Sequence, residues 1–122
     1  DKADIVVKIS EKELILIECK SVKESGYNKF SSVSRQLKSY IQLAEKNGYK
    51  VIKSLLVAPE FSDDFIKECG LDYELNLSLI TAKSLNLILE GFKETKHKTL
   101  PHNLFMRDVL IQEDRILKSI AK

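Results

Sequence analysis

Three residues near the N-terminus have the types and the spacing to do chemistry together. The apolar run Leu14-Ile15-Leu16-Ile17 ends in Glu18-Cys19-Lys20-Ser21. Successive strand side chains point to opposite faces, so Glu18 and Lys20 leave the same face. Asp4 opens the preceding strand-like run Ile5-Val6-Val7-Lys8-Ile9. An acid followed by Glu-x-Lys on the neighbouring strand suits a hard divalent ion and an activated water. Mg²⁺ prefers oxygen ligands and keeps several waters, so two carboxylates are enough to hold it. The backbone carbonyl of Cys19 could add a third oxygen. A phosphodiester is anionic and leaves an alkoxide, so its hydrolysis needs positive charge at the phosphate and a deprotonated water. Lys20 could orient that water or neutralise the charge growing at phosphorus. Lysine also surrenders its proton when desolvated, whereas arginine stays charged. The chemistry expected here is metal-dependent phosphodiester cleavage, with Asp4, Glu18 and the Cys19 carbonyl on the metal. The competing explanation is a salt bridge at a strand terminus, with Asp4 an unrelated turn residue.

The elements that must position these groups follow from pattern. Residues 5–10 and 14–21 read as two strands joined through Ser10-Glu11-Lys12-Glu13, hence a hairpin. Directly opposed residues share a face. Asp4 therefore joins Glu18 and Lys20 only if the connection leaves an odd number of unpaired residues. A two-residue turn at Glu11-Lys12 would set Asp4 against Cys19, on the wrong side. The sequence thus predicts a three-residue loop or a bulge.

Residues 22–30 read as a polar loop. From Ser31 or Ser32 to Asn47 the apolar positions Val33, Leu37, Tyr40, Ile41 and Ala44 recur at helical steps, and Asn47-Gly48 makes a stop. Residues 51–58 form a third strand ended by Pro59. Ser62-Asp63-Asp64 starts a helix with Phe65, Ile66 and Cys69, closed by Gly70. Leu75 to Ile80 forms a fourth strand, expected to lie parallel to the third across the intervening helix. Ser84 is expected to cap a helix over 85–92, and Asn103 a last helix containing Leu104, Val109, Ile111, Ile116 and Ile120. The fold class is α/β: a small mixed sheet, antiparallel hairpin plus parallel strands, flanked by helices.

Composition bounds these expectations. A chain of 122 residues with 43% hydrophobic and 31% charged residues is that of an ordinary globular domain. One domain of this size buries roughly two-thirds of its extended surface, enough for a core without staples. No apolar run approaches the ~20 residues of a membrane span, so no membrane partner is expected. Cys19 and Cys69 lack zinc-site spacing and suggest a reducing compartment. The first residue is Asp, which points to a piece of a longer chain. A net charge of +2 does not argue nucleic-acid binding by itself. Lys20, Lys23, Lys29, Arg35 and Lys38 nonetheless gather just after Glu18, and Lys93, Lys96 and Lys98 in a later loop. Solubility explains either group taken alone.

On these residues the chain resembles the PD-(D/E)xK nuclease superfamily, and within it the FokI-type cleavage domain of type IIS restriction endonucleases. The resemblance is carried by Ala3-Asp4, Glu18-Cys19-Lys20, Ser25-Gly26-Tyr27-Asn28, and Gln36-Leu37 with Tyr40. It continues more weakly through 51–58 and 76–81 to Thr99-Leu100 and the final helix. It implies a restriction-endonuclease-like fold, metal binding by Asp4 and Glu18, and Lys20 as catalytic lysine. The implied cofactor is Mg²⁺, for which Mn²⁺ substitutes, and the product is a cut DNA backbone with a 5′-phosphate. It further implies DNA as partner, a role in restriction–modification, and a prokaryotic cytoplasm. Sequence recognition would then lie in another domain or subunit, since no reading helix or finger is visible.

Four positions depart from the family pattern. Glu18 stands where the FokI-type domain has Asp, and Ala3 stands where it has Pro. Arg35 and Ser39 replace its dimer-pairing Asp and Arg, leaving a homodimer and a partner subunit both open. Many superfamily members also use an acid from a preceding helix, and this chain starts too late to show one. Alternatives within the superfamily are a junction resolvase, a transposase subunit or a repair nuclease. Outside it, the alternative is a non-catalytic scaffold domain.

Other residues carry weaker signals. Gln36 and Tyr40, a helical turn apart, could face the acids and touch phosphate, as could Asn28 and Lys23. Tyr40 is equally a half-buried core residue, and Tyr27-Asn28 a turn fixed by Gly26. His97 and His102 lack partners for a metal site. Cys19 is expected to alternate toward the core. Glu11 and Glu13 sit in a turn, and Asp63 and Asp64 are first-turn helix charges.

Overall fold

The apolar run before Glu18 is continuous because it is an interior strand covered on both faces. In the computed structural model, which describes residues 3–24, 27–106 and 109–121, this is β2 (Glu13–Cys19). It pairs antiparallel with β1 (Ile5–Lys8) and parallel with β3 (Lys50–Ala58), which pairs parallel with β4 (Leu77–Thr81). The sheet order is β1-β2-β3-β4. The parallel pairing of the third and fourth strands is as expected from the intervening helix.

The hairpin register runs from Ile5 opposite Ile17 to Lys8 opposite Leu14. The Ile9 N–H donates to the Glu13 carbonyl at 2.9 Å, leaving Ser10-Glu11-Lys12 as the loop. The connection is therefore odd, as the shared face of the two acids required. Extended by one residue, the same register sets Asp4 opposite Glu18.

One sheet face carries Leu16 and Leu56 under α1 (Tyr27–Lys46) and α2 (Asp63–Leu71), with Leu37 and Phe65 wholly buried. The other carries Ile15, Leu55, Val57 and Ile80 under α3 (Ala82–Lys93) and α4 (Glu113–Ile120). Truncating a side chain such as Leu37 to alanine costs roughly 2–5 kcal/mol in lost transfer energy and cavity. Gly48, at φ 87°, lets the chain leave α1, and its N–H bonds the Glu45 carbonyl at 3.0 Å.

Several boundaries differ from those expected. α1 starts at Tyr27, inside the segment expected to be a loop, because Phe30 is a core residue. Its ring meets Phe65 edge-on at 5.3 Å. Ser25 and Gly26 lie outside the described residues, as do the side chains of Tyr27 and Asn28. Gly70 does not close α2; the helix runs to Leu71 and Asp72 caps it. Thr81, not Ser84, caps α3, accepting from the Ser84 N–H at 3.1 Å. The Ser84 hydroxyl instead donates to Glu113 at 2.7 Å. Asn103 does not open the last helix. A short 3-10 turn covers His102–Phe105, then Leu110 bridges to Leu79 before α4 begins. Finally, Cys19 is exposed rather than turned into the core, because β2 ends there.

Candidate functional site

The backbone ladder continues one residue past β2, and this fixes the direction of Lys20. The Lys20 N–H donates to the Val57 carbonyl at 2.7 Å. Beyond it, Glu24 makes a short parallel bridge to Phe61. The chain then turns into α1 and returns across the sheet face that bears Glu18. Gln36 and Tyr40, one turn apart on α1, thereby meet the end of β2.

At this end of the sheet the two acids lock each other's strands. The Asp4 N–H donates to Glu18 Oε1 at 3.1 Å, and the Cys19 N–H donates to Asp4 Oδ2 at 2.9 Å. Lys20 Nζ lies 3.8 Å from Glu18 Oε2 and donates to Gln36 Oε1 at 3.2 Å. Asp4, Glu18, Lys20 and Gln36 are thus one connected group drawn from β2, the start of β1 and α1.

Glu18 is buried, with 4% of its surface exposed. Burial raises its carboxyl above the ordinary glutamate value, and the Asp4 charge adds to this. The Asp4 amide and the Lys20 ammonium partly offset the rise. Tyr40, also buried, has its hydroxyl pushed up by burial and then by the Glu18 charge, while Gln36 acts the other way. It is therefore a neutral hydroxyl beside the carboxylates at ordinary pH.

The donor set suits a hard ion. In a strand, the N–H and C=O of one residue point to the same side. Since the Cys19 N–H reaches Asp4, its carbonyl faces the acid pair as well. Two carboxylates and one backbone oxygen leave coordination positions for water, as Mg²⁺ requires. No group of three or more His, Cys, Asp or Glu that could hold a metal ion occurs among the described residues.

The remaining candidates separate from this group. Lys23 forms an exposed ion pair with Glu60 at 3.8 Å. Asn28 opens α1 by its backbone, and its side chain lies outside the described residues. The backbone of His97 lies within the connection that follows α3, and that of His102 opens the 3-10 turn after it.

The sequence reading missed two buried charges. Glu24 is fully buried beside Lys29 Nζ at 3.7 Å, and its carboxylate oxygens make no hydrogen bond among the described residues. Lys53, 4% exposed, donates to Asn76 Oδ1 at 3.2 Å and to the Met106 carbonyl at 3.4 Å. Neither had a spacing signal, because their partners are distant in sequence or on the flank of a polar loop. Among the described residues no helix is long and apolar enough to cross a membrane. Comparison with family models, with curated proteins and with solved structures gives no match.

Proposed function

We propose that this domain is a metal-dependent DNA endonuclease, built as in the cleavage part of a type IIS restriction enzyme. The observation that carries the reading is the Asp4–Glu18–Lys20 group: directly opposed carboxylates with an ammonium 3.8 Å from one of them. A surface salt bridge, worth about 0–1 kcal/mol, needs neither the second acid nor the burial of Glu18. A buried carboxylate with a second, exposed acid beside it at the open end of a sheet is the arrangement expected where a cation and a phosphate are to be bound.

A bound Mg²⁺ would supply charge stabilisation at the phosphate and lower the pKa of a coordinated water. Asp4, Glu18 and the Cys19 carbonyl are the groups to hold it. Lys20 is aimed by two contacts, the Glu18 carboxylate and the Gln36 amide oxygen, so its ammonium stays beside the place a phosphate oxygen would occupy. Its role is to stabilise the charge that grows there as the bond to the leaving oxygen lengthens. Tyr40, kept neutral by burial and the Glu18 charge, sets a hydroxyl beside the acids. Gln36 accepts from Lys20 and prevents the ammonium from collapsing fully onto Glu18.

Nicking of supercoiled DNA with Mg²⁺ present tests this directly. The intact protein is expected to cut, and Lys20→Ala to lose about a hundredfold or more in rate. Cleavage that survives Lys20→Ala, or no cleavage and no Mg²⁺ binding by the intact protein, would overturn it and favour a scaffold.

A further inference from the structure

A groove of about 800 Å³ runs along α1 from Lys20, which lies 3.8 Å from Glu18, past Ser32, Arg35, Gln36, Ser39 and Tyr40. The five residues on α1 fall on one helical face, at steps of three and four. From Ser32 to Leu43, which closes the far end, the helix rises roughly 16 Å. That matches the axial length of about five nucleotides at 3.4 Å each. Every polar side chain in the lining offers an N–H or O–H donor, two are cations, and none is a carboxylate. The neighbouring depression differs. It contains Glu68, Asp72 and Glu74, and its lysine, Lys38, is already paired with Asp72 at 3.7 Å and Glu74 at 3.8 Å. Arg35 stands on the ridge between the two and makes no ion pair among the described residues.

We infer that this groove is the lane for the sugar–phosphate backbone of the strand to be cut. Arg35 is its anchoring cation and Ser32 and Ser39 its hydroxyl donors. The inference rests on the phosphodiester-cleaving reading above and adds to it the path of the substrate. Contacts of this kind go to phosphate oxygens and fix register without reading bases. The lane is therefore indifferent to sequence. Its acid-poor lining passes a polyanion, and the carboxylates at its head face the strand only where a cation can screen them.

Fluorescence anisotropy of a short labelled DNA duplex, with a chelator present and salt varied from about 50 to 200 mM, tests the lane apart from cleavage. Each phosphate neutralised contributes about 0.9 to the slope of log K against log salt. Arg35→Ala is expected to lower that slope by about 0.9 and to weaken binding roughly eightfold at 0.1 M salt. Ser39→Arg, which adds a cation to the same exposed face, is expected to raise the slope by a similar amount. A slope unchanged in both variants overturns the lane. So does an Arg35→Ala protein whose sedimentation mass falls while its slope stays put, since this face would then join two copies. If the intact protein cuts DNA but binds it independently of Arg35, only the lane fails. If it neither binds nor cuts, the nuclease reading fails with it.

Discussion

Glu18 and Lys53 are both about 4% exposed and sit on adjacent strands, yet their described partners differ in kind. Lys53 lies toward the start of β3, opposite Ile15, and gives its protons to neutral oxygens of Asn76 and Met106. Asn76 is itself held, at φ 48°, by donating its side-chain N–H to the Ile52 carbonyl at 2.7 Å. That charge is solvated by the fold, and it closes the sheet end where β4 begins. Glu18, near the end of β2, has a second carboxylate for a neighbour and a lysine shared with Gln36. Through Asn76 and Met106, Lys53 ties β3 to two other segments of the chain. A charge crowded by its own sign raises the free energy of that state until a cation arrives. On the proposed reading, Glu18 and Lys53 are told apart by their partners, not by how deep they lie.

The contrast can be broken by substitution. Glu18→Gln is expected to abolish Mg²⁺-dependent cleavage, by about a hundredfold or more, while raising Tm, because the buried negative charge is removed. A fall in Tm would place Glu18 with Lys53 as a structural charge. Lys53→Met removes the hydrogen bonds to Asn76 and Met106 and is expected to cost about 1–3 kcal/mol of stability with cleavage retained. Thermal unfolding and nicking assays read both.

pH sharpens the distinction further. The Glu18 carboxyl lies above the ordinary glutamate value, so the folded state binds its proton more tightly than the unfolded chain. Its contribution is full below the unfolded value near 4.5 and is lost as pH rises through the folded one. The Tm advantage of Glu18→Gln over the native protein is accordingly expected to grow from pH 4 to neutrality. Mg²⁺ at tenfold its Kd is expected to restore about 1.4 kcal/mol at neutral pH and much less at pH 4. The smallest effect belongs to Lys23→Ala. Its exposed pair with Glu60 is worth at most about 0.5–1 kcal/mol, so Tm and cleavage are expected to stay near native values.

The hairpin and its acids were legible because parity leaves little freedom. If Asp4 and Glu18 share a face, the loop between them must be odd, and Ser10-Glu11-Lys12 is. Gln36 and Tyr40 were legible as a helical pair for the same kind of reason. The start of α1 was hidden because Phe30 is held by Phe65, a contact that no local pattern records. Thr81 and Ser84 have the same capping chemistry, and only the backbone decides which N–H lies free. Val109 to Ile111 looked helical by spacing, but the Leu79 N–H takes the Val109 carbonyl at 2.6 Å, drawing the segment alongside β4. The groove escaped notice since serine and arginine on a helix read as solvated surface until Lys20 is set at their head.

β1 is four residues long, forms the rim of the sheet, and leaves Ile5 and Val6 about half exposed. One of the two carboxylates therefore arrives on the most weakly anchored ribbon in the molecule, clasped by the Cys19 amide. Fraying of that ribbon would withdraw Asp4 and dismantle the ion's cradle while both packed layers stayed intact. On the proposed metal site, cation capture and rim closure would be a single event, with slower amide exchange along Ile5–Lys8 on adding Mg²⁺ as its signature.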